Sequence, residues 1–383
     1  MMARPGRTDG ARSVIFLVWR DTTHPDGGGS EIYVERMACW LADHKYDVTI
    51  MCAAHANAPR DEVRNGVRFR RRGGRLTVYL HGLAYLCTRP GRQASMVIDV
   101  QNGLPFFSPL VRRRPTMVLV HHVHKQQWQI IYPGLRGRLG WWVESKLAPW
   151  LYCDAPYLTV SQATAADLMR LGVRPERIHT VHNGIDVPHP AVVGPRSATP
   201  TLCVLGRLVP HKRVEHALDV VAQLRPHAPE LTLDIIGDGW WRGALERHAA
   251  EIDVTNAVHF HGRLTDADRD TVIDRAWAML APSVKEGWGI AIMEAAARGV
   301  PTVAYNSAGG VRESVLHGVT GLLVDDDITA FTAAAKTLLD DEALRHRLGE
   351  AGRLRAKDFD WPTSAGKFRD LVEDFVRVYQ RAP

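Results

Sequence analysis

Glu286 and Glu294 lie eight positions apart, with Gly287, Trp288, Gly289 and Ile290 between them. Pro282 and Ser283 close the apolar run Ala276 to Ala281, and Ile290 to Arg298 is rich in strong helix formers. Gly299 suits the position just past a helix end, and Pro301 forbids continuation. The stretch therefore reads as a loop that becomes a helix. Glu286 falls in the loop and Glu294 about a turn inside the helix. The N–H groups of a helix N-terminus attract phosphate or sugar oxygens. Carboxylates accept hydrogen bonds from hydroxyls in pairs. Acid, glycine and acid in this order suit a sugar and a ribose. Taken alone, the same residues also fit a surface Glu and a helix Glu with no joint role.

Three other groups carry chemistry. His121, His122 and His124 follow the apolar run Thr116 to Val120, which reads as a parallel strand. Ligands of α/β sheets bind at the carboxyl ends of such strands. The spacing does not choose among the three histidines. A zinc site has no evident fourth ligand and no matched spacing, so no metal is expected. Arg207 and Lys212 follow the strand-like Leu202 to Leu205. Arg holds phosphate oxygens in bidentate fashion and Lys adds a point charge. Gly27, Gly28 and Gly29 lie between a first strand, Ser13 to Trp19, and a helix that runs to about His44. This resembles a mononucleotide-type turn, but it lacks G-x-G-x-x-G and also fits a flexible surface turn.

A chain of 383 residues with 45% hydrophobic content fits two soluble α/β domains. No run of 18 apolar residues predicts a membrane-spanning helix. Val14 to Trp19 is too short for a signal-peptide core. The cysteines at 39, 52, 87, 153 and 203 are scattered, odd in number and without C-x-x-C spacing. They read as reduced core thiols of a cytosolic protein. Charge is uneven. Residues 1–190 hold 25 Lys and Arg against 15 Asp and Glu, and the remainder 23 against 27. A basic first half points to an anionic partner, such as a membrane surface. No nucleic-acid recognition motif is present, and the basic residues do not alternate with exposed aromatics, so nucleic acid is not expected.

The positioning elements follow in order. Asp47 to Cys52, Met96 to Val100, Tyr157 to Val160 and Ile178 to Val181 read as further strands of a first domain. Val67 to Arg72 reads as a short strand or edge, its Arg68, Arg70, Arg71 and Arg72 protected by charge or open to an anionic partner. Arg75, the run Arg112, Arg113 and Arg114, and Arg136, Arg138 and Lys146 add to that basic face. Arg136 to Tyr152 reads as a basic helix with Trp141, Trp142 and Trp150. Such a helix lies on a membrane or packs on its own sheet. Pro188 to Pro200, with four prolines and Gly194, reads as a domain boundary. Strands at Leu231 to Ile236, Val258 to Phe260, Met279 to Ala281, Val300 to Tyr305 and Gly318 to Val324 then repeat the βα pattern. Asp325 to Asp327 reads as a capped loop, and Trp361 to Tyr379 as a helix.

The stretch Glu286 to Glu294 resembles the E-x7-E donor motif of family 4 glycosyltransferases, in its "EGWG" form. Ser161 to Thr164 resembles that family's "SxxT" turn, His182 to Asp186 its "NGVD" exit, and Gly206 to Arg213 its "GRL…K" element. The resemblance runs from about Ser13 to Tyr379. It implies the α/β GT-B fold: two Rossmann-like domains facing across a deep cleft, the last helix crossing back to the first domain. The expected division is 1–187 for the acceptor domain, 188–200 for the linker, 201–358 for the donor domain and 359–383 for the returning helix. The implied activity is retaining transfer of a hexose, mannose or glucose, from a nucleotide-diphosphate sugar to a glycan or a lipid-linked envelope precursor. The implied donor-binding residues are Gly28, Gly29, Arg207, Lys212, Arg263, Glu286, Gly287, Trp288, Gly289, Ile290 and Glu294. The implied catalytic residues are His121, Arg207, Lys212 and Glu286, with His121 the best match to the family histidine. No cofactor is implied. The expected place is the cytoplasm, on the inner face of the plasma membrane. A sugar phosphorylase, a nucleotide-sugar epimerase and a non-catalytic glycan-binding protein are the alternatives on the same fold.

Overall fold

Strands buried on both faces read as unbroken apolar runs, and such runs build both sheets of this chain. The computed structural model describes residues 12–111, 115–188 and 192–381. Arg112, Arg113 and Arg114 lie outside the described residues. The first sheet contains β1 (Ser13–Leu17), β2 (Asp47–Cys52), β3 (Asp61–Arg64), β4 (Val67–Arg71), β5 (Met96–Gln101), β6 (Thr116–Val120), β7 (Tyr157–Thr159) and β8 (Ile178–Thr180). Their spatial order is β3-β4-β2-β1-β5-β6-β7-β8. All neighbours are parallel except β3 and β4. That antiparallel pair turns on Asn65 and Gly66, both with positive φ (50° and 76°), the backbone of a two-residue hairpin.

The second sheet contains β9 (Thr201–Leu205), β10 (Thr232–Ile236), β11 (Val258–Gly262), β12 (Ala278–Ala281), β13 (Thr302–Tyr305) and β14 (Gly321–Val324). It is ordered β11-β10-β9-β12-β13-β14 and all parallel. Both sheets have helical crossovers, and both are Rossmann-like. Asp327 caps the helix Ile328–Asp340 by accepting from the Ala330 N–H at 2.8 Å, as a capped loop requires.

The chain divides into a first unit, residues up to 160 with 164–182 and 362 onward, and a second unit, 161–163 with 183–361. The division falls at 182/183 and 361/362, not after 187 and 358. The reason is local pairing: the Ile185 N–H donates to the Phe359 carbonyl at 2.8 Å. A Cβ on Gly184 would lie 2.6 Å from the Trp361 Cα. The proline-rich stretch is likewise strapped to the second unit. Gly194 N–H donates to Asp274 Oδ2 at 2.8 Å, and Arg196 donates to the carbonyls of Asp274 and Arg298 at 2.6 and 2.7 Å. The helix Trp361–Arg381 returns to the first unit, where the Phe368 ring stacks on Phe16 at 6.2 Å. All five cysteines are free thiols. Only Cys52 and Cys203 are core residues; Cys87 and Cys153 are exposed.

The basic run of β4 differs most from expectation. Arg71 is fully buried, held by Asp21 at 2.6 Å and by Glu62 at 2.9 Å. Arg68 pairs with Asp47, Arg72 with Asp61, and Arg70 lies over the Tyr85 ring. The run stitches the sheet edge together and is not an open basic patch.

Asp99 on β5 is fully buried. It accepts hydrogen bonds from the Phe106 N–H, the Ser108 N–H and hydroxyl, and the Tyr152 hydroxyl. Burial pushes this carboxyl above its usual range, and the four donors work against that. Removing one donor from a buried acceptor costs about 1–3 kcal/mol. Tyr152→Phe should therefore destabilise the first unit by about that amount in urea unfolding. A change of only a few tenths would show that Asp99 does not depend on this bond.

Candidate functional site

Main-chain packing at the carboxyl edge of the second sheet positions one group of side chains. A Cβ on Gly237, after β10, would lie 1.9 Å from the carbonyl oxygen of Gly206, after β9. A Cβ on Gly310, after β13, would lie 2.0 Å from the carbonyl oxygen of Gly287, after β12. The Val284 N–H donates to the His211 carbonyl at 2.9 Å, which ties the β9 and β12 loops together. The result is an ion pair between Lys212 Nζ and Glu286 Oε1 at 2.5 Å, across 74 residues of sequence. The Ser283 hydroxyl donates to the same oxygen at 2.7 Å. Burial alone would raise the Glu286 carboxyl; the Lys212 ammonium and the Ser283 hydroxyl overcome it and hold the group below its usual value.

Gly289 caps the helix Ile290–Ala297 in the left-handed region (φ 99°). A Cβ there would be strained by that angle and would lie 3.0 Å from Ile292 and Ser314. Glu294, inside the helix, pairs with Arg269 at 3.3 Å. Burial lifts its carboxyl, and Arg269 opposes that. Arg269 is held in turn by Asp266 and Asp270. Trp288 is 1% exposed and its ring packs 5.1 Å from Phe359. As a side chain it belongs to the interior. Only its main chain remains for the donor-binding part expected of it. Arg207 is half-buried after β9, and Arg263 is exposed after β11.

A second group lies at the carboxyl edge of the first sheet. Gly28 caps the helix Gly29–Asp43, and its N–H donates to Glu31 Oε2 at 2.7 Å. Glu31 is buried and also receives the Arg20 guanidinium at 2.9 Å. The structure separates the three histidines. His121 is 5% exposed, its ring set edge-on against Tyr33 at 5.4 Å. Its Nε2 is buried with no hydrogen-bond partner. Burial lowers its pKa to about 4, so at neutral pH it is an uncharged hydrogen-bonding group. His122 Nε2 donates to Gln127 Oε1 at 3.0 Å. His124 donates to Glu144 Oε1 twice, from Nδ1 at 3.0 Å and from its main-chain N–H at 3.1 Å. Trp128 donates to the other oxygen of Glu144 at 2.6 Å.

Glu144, Trp128 and Gln127 were not singled out from the sequence. One signal pointed to Glu144: from residue 63 to residue 153 the chain has only two acids, Asp99 and Glu144. Glu144 sits in the π-helical turn Val143–Leu147, a local widening often found where a side chain has a task. With Nδ1 directed at a carboxylate, the His124 ring leaves Nε2 for another partner. Among the described residues, no group of three or more His, Cys, Asp or Glu is arranged to hold a metal ion.

Residues 27–188 match the model described as Glycosyltransferase Family 4, and residues 189–355 the model described as Glycosyl transferases group 1. A glycogen synthase of Mycobacterium tuberculosis is 31% identical over 274 residues, 63% of this chain and 66% of that protein. A GDP-mannose-dependent alpha-(1-6)-phosphatidylinositol monomannoside mannosyltransferase of Mycolicibacterium smegmatis is 34% identical over 182 residues, 45% of this chain and 47% of that protein. The matched stretch thus spans less than two thirds of these relatives' length. Among solved structures, sucrose-phosphate synthase from Thermosynechococcus elongatus superposes with a TM-score of 0.82 at 19% identity, covering 96% of this chain and all (100%) of that one. HepE of Anabaena in complex with UDP and glucose gives 0.74 at 18% identity, covering 95% of this chain and 100% of that one. These likenesses carry the fold, which is GT-B.

The neutral, buried His121 generates a pH dependence. A histidine whose folded pKa is about 4 binds fewer protons folded than unfolded between pH 4 and its ordinary value of about 6.5. Stability is full above that window and falls as pH drops through it, by roughly 3 kcal/mol. His121→Gln should make the urea midpoint of the first unit less dependent on pH between 6.5 and 4 than in the wild type. Equal slopes would show that His121 is not held neutral.

Proposed function

From the two consecutive glycosyltransferase models that match this chain, we propose that it is a retaining hexosyltransferase. It takes mannose or glucose from a nucleotide-diphosphate sugar and passes it to a hydroxyl of a glycan or lipid-linked envelope precursor. The observation that carries this reading is the Lys212–Glu286 ion pair at 2.5 Å, held on two glycine-packed loops. Without donor, each charge satisfies the other. With donor, Lys212 turns to the diphosphate and Glu286 to the sugar hydroxyls. Arg207 adds a second cation, and the N–H groups after Gly289 face a phosphate oxygen. Glu294, steadied by Arg269, accepts from the ribose hydroxyls. Arg263 lies against the base. The names of similar proteins include GDP-mannose and UDP-glucose, so both belong in a donor screen.

Negative charge grows on the leaving diphosphate in the transition state. Fixed cations and N–H groups there act on the barrier directly, one donor being worth about 2.7–4 kcal/mol in comparable sites. The leaving phosphate takes the acceptor proton, and the acceptor enters on the face the phosphate leaves. This route needs no protein nucleophile and no metal. His121 offers its buried Nε2 to a sugar hydroxyl. His124, aligned by Glu144, offers Nε2 to a hydroxyl of the acceptor.

Arg207→Ala and Lys212→Ala should each lower transfer by about a hundredfold or more while leaving the fold intact. In a thermal-shift screen, the true donor at 100 times its dissociation constant should stabilise the wild type by about 2.7 kcal/mol and each variant by clearly less. Wild-type rates in both variants would sink the diphosphate assignment. The new glycosidic bond should keep the donor's anomeric configuration, read from the NMR coupling of the product. Inversion would overturn the same-face mechanism.

A further inference from the structure

A helix on a protein surface normally turns its large apolar side chains inward. The helical segment from Leu135 to Leu151, α-helical with one π-turn, does so only in part: Trp141 and Leu151 pack on the core, while four other large apolar side chains face outward. Its fully buried positions are otherwise small: Gly137, Gly140, Ser145 and Ala148, beside Glu144. A Cβ on Gly140 would lie 2.4 Å from the Trp128 ring, and one on Gly137 2.1 Å from the Tyr132 carbonyl oxygen. Its outer face is large: Leu135, Leu139, Trp142 and Trp150 are 79%, 63%, 52% and 71% exposed. With Lys146 they follow one another at helical spacing and form one stripe. Arg136 and Arg138 flank it, both exposed. Arg75 lies 5.3 Å over the Tyr132 ring, and Leu76 and Leu80, at the start of and within the helix Thr77–Leu86, are exposed as well.

The charge around the stripe is of one sign. Between residues 63 and 153 the chain has 15 Lys and Arg and two acids. Both acids, Asp99 and Glu144, are buried, so this segment shows no carboxylate to solvent. It also holds most of the exposed large apolar residues among the described ones. Arg68 and Arg71 of β4 are taken up by ion pairs and Arg70 lies over the Tyr85 ring, but Lys125, Arg136, Arg138 and Lys146 have no acid on their own segment except Glu144, which His124 and Trp128 occupy. Among the described residues no helix is long and apolar enough to cross a membrane.

We infer that the outer face of Leu135–Leu151 docks this protein on an anionic lipid bilayer. The Leu and Trp side chains enter the interface, where Trp is at home, and the Arg and Lys side chains lie among anionic headgroups. An apolar stripe without charge would suit a second copy of the chain, and charge without the stripe would suit a soluble polyanion. The two together suit a lipid surface. The inference extends the lipid-linked-acceptor reading, but it is measured without donor or acceptor, so each can fail without the other.

The test is sedimentation with vesicles of phosphatidylglycerol and phosphatidylcholine in equal parts, against phosphatidylcholine alone. The wild type should bind the anionic vesicles and not the neutral ones, and salt should weaken binding. Leu139→Ser with Trp142→Ser should reduce binding at least tenfold, as should Arg136→Ser with Arg138→Ser. All four positions are exposed, and unchanged thermal melting confirms that the variants fold. Arg70→Ser with Arg72→Ser, in the stitched edge, should bind nearly as the wild type does. No binding to anionic vesicles at low salt overturns the inference. So does binding that the stripe variants leave unchanged, or a stripe variant that alters the oligomeric state but not vesicle binding.

Discussion

Backbone lying directly on backbone is the constraint on which the Lys212–Glu286 pair depends. Gly237 meets the Gly206 carbonyl, and Gly310 meets the Gly287 carbonyl, at separations that leave no space for a Cβ. No rotamer change relieves such a clash, because the obstructing atoms are main chain. Lys212 stands on the loop that begins at Gly206, and Glu286 on the loop that passes Gly310. Their ion pair is thus the outcome of two glycine contacts, neither of which touches a charged atom. A displacement near 1 Å at a reacting centre costs about a hundredfold in rate. The glycines therefore bear on chemistry as strongly as the charges do.

The parallel core was legible because its strands are apolar without interruption. β2, β5 and β6 lie within a residue of their expected bounds. The hairpin of β3 and β4 was not read, although Asn65 and Gly66 carry its signal. The polar β3, Asp61 to Arg64, has no apolar alternation to mark it. The unit boundaries were missed for a different reason. Prolines at 188, 195 and 200 resemble a free linker, and composition does not reveal that Gly194 and Arg196 are bonded to Asp274.

Site residues divide along the same line. Glu286, Lys212 and Glu294 were singled out by type and spacing at loop-to-helix junctions, and the structure brings Lys212 and Glu286 together. Their partners Ser283 and Arg269 were not, because ordinary hydrogen bonds and ion pairs leave no spacing rule. Trp288 shows what a motif does not reveal: its ring fills the core against Phe359, so its side chain is part of the interior. The histidines could not be told apart in one dimension. Burial distinguishes His121, and one carboxylate twenty residues onward, Glu144, distinguishes His124.

The returning helix sets the order in which this chain can complete itself during synthesis. The second unit, residues 183–361, is almost continuous in sequence, and its surfaces can be buried as soon as it leaves the ribosome. The first unit begins earlier but finishes later. Phe16 on β1 waits for Phe368, and Tyr46 waits for Glu373. Domains commonly fold in the order they are made; here Phe16 and Tyr46 of the amino-terminal unit lack these partners until the whole of the second unit has been made. Both belong to the same unit as the exposed Leu and Trp stripe, so on the nascent chain Phe16 adds an unpartnered ring to that unit's apolar surface.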